Sequence, residues 1–282
     1  MHYLYLPTSW CKEQGIKAGS KVTVDRRGSG KLLLSSGMIA KQAQHLEIEP
    51  GIDNIDIINK LVVSCFINPT DSFKIKLTKG MDYAELLKQK RIVSVDMVEL
   101  EGKTLKCESP VSSGSPDLLL KTMISKLTNM LTVMMSDYNE ELVQRYEEEI
   151  DKSRLLIDKA VIHALTYTGS STQRIINLHY ISLISKELER IADYLITLKS
   201  GNKAFFEDIL RIIHSLKGIV DLIIVMDQKF DYHAAVDFAV QATSLKKGEA
   251  KDQSSYIRLE VAKGFGVISE VLLDWAITKK VT

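Results

Sequence analysis

The segments Tyr146-Glu-Glu-Glu-Ile-Asp151 and Lys186-Glu-Leu-Glu-Arg-Ile-Ala-Asp-Tyr194 lie on either side of a small-residue turn, Tyr167-Thr-Gly-Ser-Ser-Thr172. Each segment belongs to a long stretch with helical periodicity, so the turn predicts two antiparallel neighbouring helices. In such a hairpin, residues equidistant from position 170 come level with each other.

Four carboxylates fall at matching heights in this predicted hairpin. Asp151 is expected to face Glu189, and Glu147 to face Asp193. Four acids at one height repel each other, so a bound cation is expected between them. Hard carboxylate oxygens suit Mg²⁺, Ca²⁺, Mn²⁺ or iron better than zinc. The pattern therefore predicts a site for a divalent or trivalent metal (Mg, Mn, Fe or Zn) formed by Glu147, Asp151, Glu189 and Asp193.

A solvated acidic face is the alternative reading of the same residues. It requires neighbouring bases to neutralise the acids, and Glu147 has no base three or four positions away. The other three acids each have a base at spacing three: Arg154 for Asp151, Lys186 for Glu189 and Arg190 for Asp193.

Composition places few limits on function. The chain has 282 residues, a formal net charge of +1, 45% hydrophobic and 26% charged residues, which is typical of a globular protein with room for two domains. Any attraction to nucleic acid must therefore be local. The three cysteines form no CxxC pair, and no long apolar segment occurs, so a cytoplasmic protein with reduced thiols is predicted.

The second half of the chain is predicted to be entirely helical. A run of Ser, Gly and Pro at 109–116 marks a linker. Two sets of three long helices suggest an internal duplication. The six helices are predicted near 116–137, 139–168, 172–200, 203–228, 231–247 and 253–280.

The first 108 residues are predicted to mix short strands and short helices, which makes the whole chain α+β. The strands are expected at 3–6, 21–25, 31–34, 72–77, 92–100 and 104–107, the last two forming a hairpin. The helices are expected at 8–14, 54–67 and 81–90.

The segments 146–151 and 186–194 resemble the signature of the PhoU family of phosphate-signalling regulators. The resemblance implies two three-helix repeats over residues 116–282. It also implies metal binding through acids four apart, which map onto Glu147, Asp151, Glu189 and Asp193. The second set of helices does not repeat the pattern well.

The N-terminus is similar to the AbrB/SpoVT swapped-hairpin domain in the stretches Leu4-Tyr-Leu-Pro7, Gly15-Ile-Lys-Ala-Gly-Ser-Lys-Val-Thr-Val24 and Lys31-Leu-Leu-Leu34. This resemblance implies a homodimer that binds DNA. The family usually has a longer first strand whose basic residues contact DNA, so here either that strand is shortened or the start of the sequence is truncated. The basic residues expected at the DNA are Lys12, Lys21, Arg26, Arg27 and Lys31.

No catalytic constellation can be identified. The glycine-rich stretch at 28–31 lacks the first glycine and the Ser/Thr of a phosphate loop. The six histidines are scattered without helical pairing. An enzyme is therefore not expected, although a metal-dependent phosphatase would share the same acids.

Together these observations predict three regions: a DNA-binding and dimerisation domain (1–36), a mixed α/β middle segment (37–110) and a PhoU-like helical domain (116–282). The predicted function is a DNA-binding regulator of phosphate uptake. The alternative is an adaptor that binds no DNA and docks on a phosphate-transporter ATPase or a sensor protein.

Overall fold

A computed structural model describes residues 3–26, 32–36, 44–80, 98–108, 115–166, 175–198, 202–225, 232–245 and 249–281. The chain divides into two compact units, residues 1–43 and 44–282. The described residues form eight helices and six strands. The fold is α+β and predominantly helical, as the sequence predicted.

The first unit contains one short helix, α1 (Thr8–Glu13), and a two-stranded antiparallel sheet of β1 (Val22–Arg26) and β2 (Leu32–Ser36). These elements confirm the predicted helix and the second and third predicted strands to within two residues. The strand predicted at 3–6 is wrong. A strand needs a hydrogen-bonded neighbour, and β1 and β2 pair only with each other.

The first unit has no core of its own among the side chains that the structure describes. None of these side chains is buried, and α1 contributes no buried residue. Tyr3, Leu4 and Tyr5 are exposed, Tyr5 to 93%. A two-stranded hairpin by itself is at best marginally stable in water.

The second unit begins with a four-stranded sheet in the order β3 (His45–Ile48), β4 (Ser72–Lys76), β6 (Thr104–Glu108) and β5 (Val98–Glu101). Strands β3 and β4 are parallel and are joined by α2 (Ile55–Ile67), whose first turn is capped by the Asn54 side chain. The other neighbouring strands are antiparallel.

Most of the middle-segment predictions that can be compared are confirmed. Helix α2, strand β4 and the hairpin of β5 and β6 lie where they were expected, and Gly102 takes the left-handed conformation in the hairpin turn. Strand β3 was missed. The helix predicted at 81–90 and the start of the strand predicted at 92–100 lie outside the described residues.

The sheet buries one face against α2. Phe73, Ile75, Leu105 and Cys107 point into this core, whereas the alternate residues Lys74 and Lys76 of the central strand β4 are exposed. This alternation follows from the two-residue period of a strand. The clean alternation at 72–77 is what made β4 predictable.

Six helices follow, as predicted, within residues 115–281 of the described chain. They are α3 (Pro116–Met135), α4 (Glu140–Thr166), α5 (Ile175–Ile196), α6 (Lys203–Val225), α7 (Tyr232–Ser244) and α8 (Gln253–Val281). Among the described helices, none combines the length and the apolarity needed to cross a lipid bilayer.

The six helices share one continuous apolar core. Helix α3 packs against α4, α5 and α6, and α5 packs against α4 and α8. The second helix of the first set, α4, has 27 residues, whereas the second helix of the second set, α7, has 13. The two sets therefore differ in length. The two sets pack against each other through α3 with α6 and through α5 with α8.

Helix α4 also joins the bundle to the sheet. Its Leu155 belongs to the core formed by α2 and the sheet, and the Lys159 Nζ lies 4.4 Å from the centroid of the Phe66 ring. Lys159 is only 7% exposed, and a cation held over an aromatic face is stabilised by the ring quadrupole. The described residues of 44–80 and 98–108 therefore belong to one unit with the helices.

The buried cysteines give a direct test of this core. Burial raises the pKa of the Cys65 and Cys107 thiols, that of Cys107 to about 11. Because the thiolate is the reactive form, an alkylating reagent at pH 8 is expected to modify Cys11 first, and the other two only after unfolding.

The same shift has a consequence for stability. Unfolded thiols ionise near pH 9.0 while the folded Cys107 stays protonated, so this contribution to stability is present below pH 9 and is lost as the pH rises toward 11. Mass spectrometry of alkylated peptides, with and without urea, measures which cysteines the reagent modifies in the folded and the unfolded protein. Rapid labelling of Cys107 in the native protein would contradict the described core.

Candidate metal centre

Helices α4 and α5 are antiparallel with the register that the sequence predicted. The Ser182 hydroxyl donates to Asp158 Oδ1 at 3.3 Å. These two residues are equidistant from position 170, as are Glu147 and Asp193. The observed hydrogen bond therefore fixes the alignment of the two helices independently of the acids.

Three carboxylates meet at the α4–α5 pair: Glu147 and Asp151 from α4 and Asp193 from α5. One oxygen from each lies within 4.8 Å of the other two. The four-residue spacing on α4 puts its two acids on successive turns of one face. We call these three residues the carboxylate group.

The members of the group differ in exposure. Glu147 is only 2% exposed, Asp151 is half-buried and Asp193 is exposed. Burying a carboxylate costs free energy unless its charge is compensated. The group is thus open at one side and enclosed at the other.

Glu189, the fourth predicted ligand, is not part of the carboxylate group as the structure describes it. The register brings its backbone level with Asp151, but its half-buried side chain does not place an oxygen within the same distance of the other three. Register fixes backbone height, whereas the rotamer decides where the oxygens lie.

Each of the two arginines near these acids in sequence is paired with a carboxylate of its own helix. Arg154 Nη2 lies 3.3 Å from Asp158 Oδ2, and Arg190 Nη2 lies 2.6 Å from Glu187 Oε2. Burial raises the pKa of Glu187 even though Arg190 opposes the shift. Both guanidinium groups are thereby held by carboxylates of their own helices.

Glu149 lies next to the group in sequence but is used for helix packing. Lys126 of α3 donates to Glu149 Oε2 at 2.8 Å and to the Ser153 hydroxyl at 3.0 Å. The hydrogen bond from Lys126 lowers the pKa of Glu149. This acid is therefore neutralised from α3.

Sequence reasoning missed the pair Asp158–Ser182 and the role of Arg154 beside it. The signal was present, because Asp158 and Ser182 obey the same symmetry about position 170. A pattern of facing acids does not include this pair, because Ser182 is not an acid.

The second set of helices shows no comparable group in the part of it that is described. Glu260 is paired with Lys263 at 2.6 Å, and Glu270 and Asp274 are exposed on α8. Asp227 and Asp231 lie outside the described residues.

The residues predicted to contact DNA belong to the first unit. Lys12 lies in α1 and Lys21 directly precedes β1, and both are exposed. Arg26 is the last residue of β1. Arg27 and Lys31 lie outside the described residues.

Chemically, the carboxylate group offers oxygen ligands only. Three carboxylates within 4.8 Å of each other suit a hard cation such as Mg²⁺, Mn²⁺ or iron, which would neutralise their repulsion. No family model matches the chain, and neither the curated proteins nor the solved structures contain a match to it.

Proposed function

We propose that this chain is a homodimeric regulator of phosphate uptake that acts in the cytoplasm, binds a divalent or trivalent metal in its helical part and binds DNA through its first unit. The observation that carries the proposal is the carboxylate group. Glu147, Asp151 and Asp193 belong to the segments that resemble the PhoU signature, and three of the four acids implied by that resemblance meet in space.

The first unit supports the dimer. No side chain described in it is buried, and Tyr3, Leu4 and Tyr5 are exposed. A second copy of the same unit would cover these residues. Dimerisation would also double the number of basic side chains available to phosphate groups of DNA.

One observation favours the alternative, an adaptor that docks on a transporter ATPase or a sensor without binding DNA. Residues 3–6 form no strand, so the described part of the first unit lacks the strand whose basic residues contact DNA in the family that it resembles. In the adaptor, the first unit serves dimerisation only. Neither proposal assigns the chain a catalytic step.

Elemental analysis of the purified protein tests the metal site. We expect stoichiometric metal in the unmodified protein and its loss from the Asp151→Asn/Asp193→Asn variant, which keeps the size of both side chains. Glu148→Gln/Glu270→Gln is the matched control, since both residues are exposed acids. Metal-free protein after preparation without chelators would overturn the metal site.

A DNA-binding measurement distinguishes the regulator from the adaptor. If the chain is a DNA-binding regulator, it should bind DNA with an affinity that falls as the salt concentration rises. Replacing Lys12 and Arg26 by Glu should abolish this binding. An unmodified dimer that shows no salt-dependent affinity for DNA would favour the adaptor.

A further inference from the structure

Exposed apolar side chains gather on the outside of the α7–α8 pair. Five large apolar side chains of these two helices are 40–77% exposed. They are Tyr232, Val236 and Val240 of α7 and Ile277 and Val281 of α8. Within each helix they recur at every fourth residue, which places them on one side of that helix. A contiguous apolar patch on the surface is typical of an interaction site.

The side chains of the two helices lie at matching heights. The Lys280 Nζ lies 5.1 Å from the centroid of the Tyr232 ring, so the end of α8 lies beside the start of α7 and the two helices are antiparallel. Because each residue advances about 1.5 Å along a helix, Val236 comes level with Ile277. The apolar patch therefore continues from α7 to α8, and we call it the α7–α8 face.

Helix α8 carries a distinctive order of charges along this face. Four residues follow each other at spacings of three, four and three: Glu270, Leu273, Ile277 and Lys280. These spacings keep all four on one side of a helix. Leu273 is half-buried and the other three are exposed. The order acid, apolar, apolar, base changes sign when it is read in the opposite direction.

We infer that the α7–α8 face binds the same face of a second copy of this chain, with the two α8 helices antiparallel. Pairing centred on the level of Trp275 puts Leu273 against Ile277 of the partner subunit. The same pairing puts Glu270 against Lys280 of the partner subunit. A symmetric dimer needs a patch that complements itself, and this order of residues meets that condition. The interface is distinct from the one proposed for the first unit and depends on neither metal nor DNA.

Charge favours a second copy over an anionic partner. The phosphates of a lipid surface or a nucleic acid would meet Glu270 and Asp274, which are exposed on this side of α8, and would be repelled. The chain carries a formal net charge of only +1, so two copies approach without strong long-range repulsion. The apolar side chains then provide the buried area, and the charged residues at its edge fix the register.

Disulfide formation in the full-length chain tests the contact. Leu273→Cys and Ile277→Cys chains are co-expressed in a Cys11→Ser background, because Cys65 and Cys107 are buried, and are then treated with a mild oxidant. Mass spectrometry identifies the crosslinked peptides. We expect a disulfide between position 273 of one copy and position 277 of the other. Each variant alone should give a lower yield, because identical positions are offset along the two α8 helices.

Exchange of the charges tests the register. Glu270→Lys and Lys280→Glu each place like charges opposite each other twice in the dimer, so each should lower the disulfide yield about tenfold. The chain that carries both exchanges has opposite charges facing again and should recover the yield, which shows that the exchanged residues do not prevent folding. Glu207→Lys, at an exposed acid of α6, is the matched control and should leave the yield unchanged.

The failures of this inference and of the proposed function are distinguishable. A chain that is dimeric by sedimentation but forms no 273–277 disulfide would overturn the inference and leave the proposed function standing. The same conclusion would follow if the disulfide yield did not respond to the charge exchanges, or if each variant alone gave as much disulfide as the pair. A monomeric chain would overturn both the inference and the proposed homodimer.

Discussion

Replacing Glu147 by glutamine is expected to stabilise the protein when metal is chelated and to destabilise it, relative to the unmodified chain, when metal is in excess. Glu147 is 2% exposed and has an oxygen within 4.8 Å of oxygens from Asp151 and Asp193. At such distances each pair of like charges costs on the order of 1 kcal/mol even in a water-like dielectric. Glutamine keeps the shape and removes one charge.

In excess metal, the unmodified protein should be more stable than the Glu147→Gln variant. A cation at a hundred times its Kd stabilises the folded state by about 2.7 kcal/mol. The glutamine variant has lost one charged ligand, so its gain should be smaller. A change in packing would alter the free energy of unfolding equally with and without metal. Changes of opposite sign under the two conditions are therefore not expected from packing.

Urea denaturation with EDTA and with Mn²⁺ makes the comparison. Glu148→Gln, an exposed acid on the same helix, should give the same small change in both conditions. If Glu147→Gln is destabilising by a similar amount with and without metal, Glu147 holds the helices together through its own protein contacts instead of serving a cation.

Gly264→Ala is expected to lower the free energy of unfolding by about 1–2 kcal/mol, whereas Gly218→Ala should raise it by up to about 1 kcal/mol. Both glycines lie inside helices, where alanine is intrinsically better by about 1 kcal/mol. A Cβ on Gly264 would lie 2.7 Å from Ile191 Cγ1, while a Cβ on Gly218 has nothing within 4 Å.

The difference arises because α5 and α8 approach closely at Gly264. Ile191 is fully buried and branched at Cβ, so it has little freedom to move away, and overpacking of this kind costs roughly 1–3 kcal/mol. Each 1 kcal/mol should change Tm by roughly 2–4 °C in a chain of this size.

A double-mutant cycle gives the control for this contact. In an Ile191→Ala background the clash is removed, so the penalty of Gly264→Ala should shrink or change sign. Equal penalties in both backgrounds would show that the close approach of α5 and α8 at this point is not what constrains Gly264.

The α4–α5 pairing was predictable because it depends on local information. A short turn between two long helical stretches imposes an antiparallel register, and helical periodicity then assigns side chains to faces. Glu147, Asp151 and Asp193 were therefore found from the sequence. The same logic located β4, whose alternating Ser72–Leu77 segment has one buried face.

Features that depend on distant partners were not predictable in this way. Strand β3 has only four residues and is defined by pairing with β4, more than twenty residues later in the chain. Residues 3–6 have a strand-like composition but no neighbouring strand in the first unit as described. The position of the Glu189 oxygens and the choice of Asp158 and Glu187 by the two arginines are decided by rotamers, which a sequence pattern does not specify.

The Ser/Gly/Pro-rich stretch at 109–116 looks like the natural place to divide the protein, but the packing of α4 argues against dividing it there. Leu155 and Lys159 on α4 complete the core under the sheet, so a fragment that begins at α3 would expose this face and leave a buried lysine without its aromatic contact. A fragment that begins at residue 44 keeps every one of these contacts. A change in composition marks a linker in the sequence, whereas the boundary of cooperative unfolding lies where no buried side chain has to be exposed to solvent.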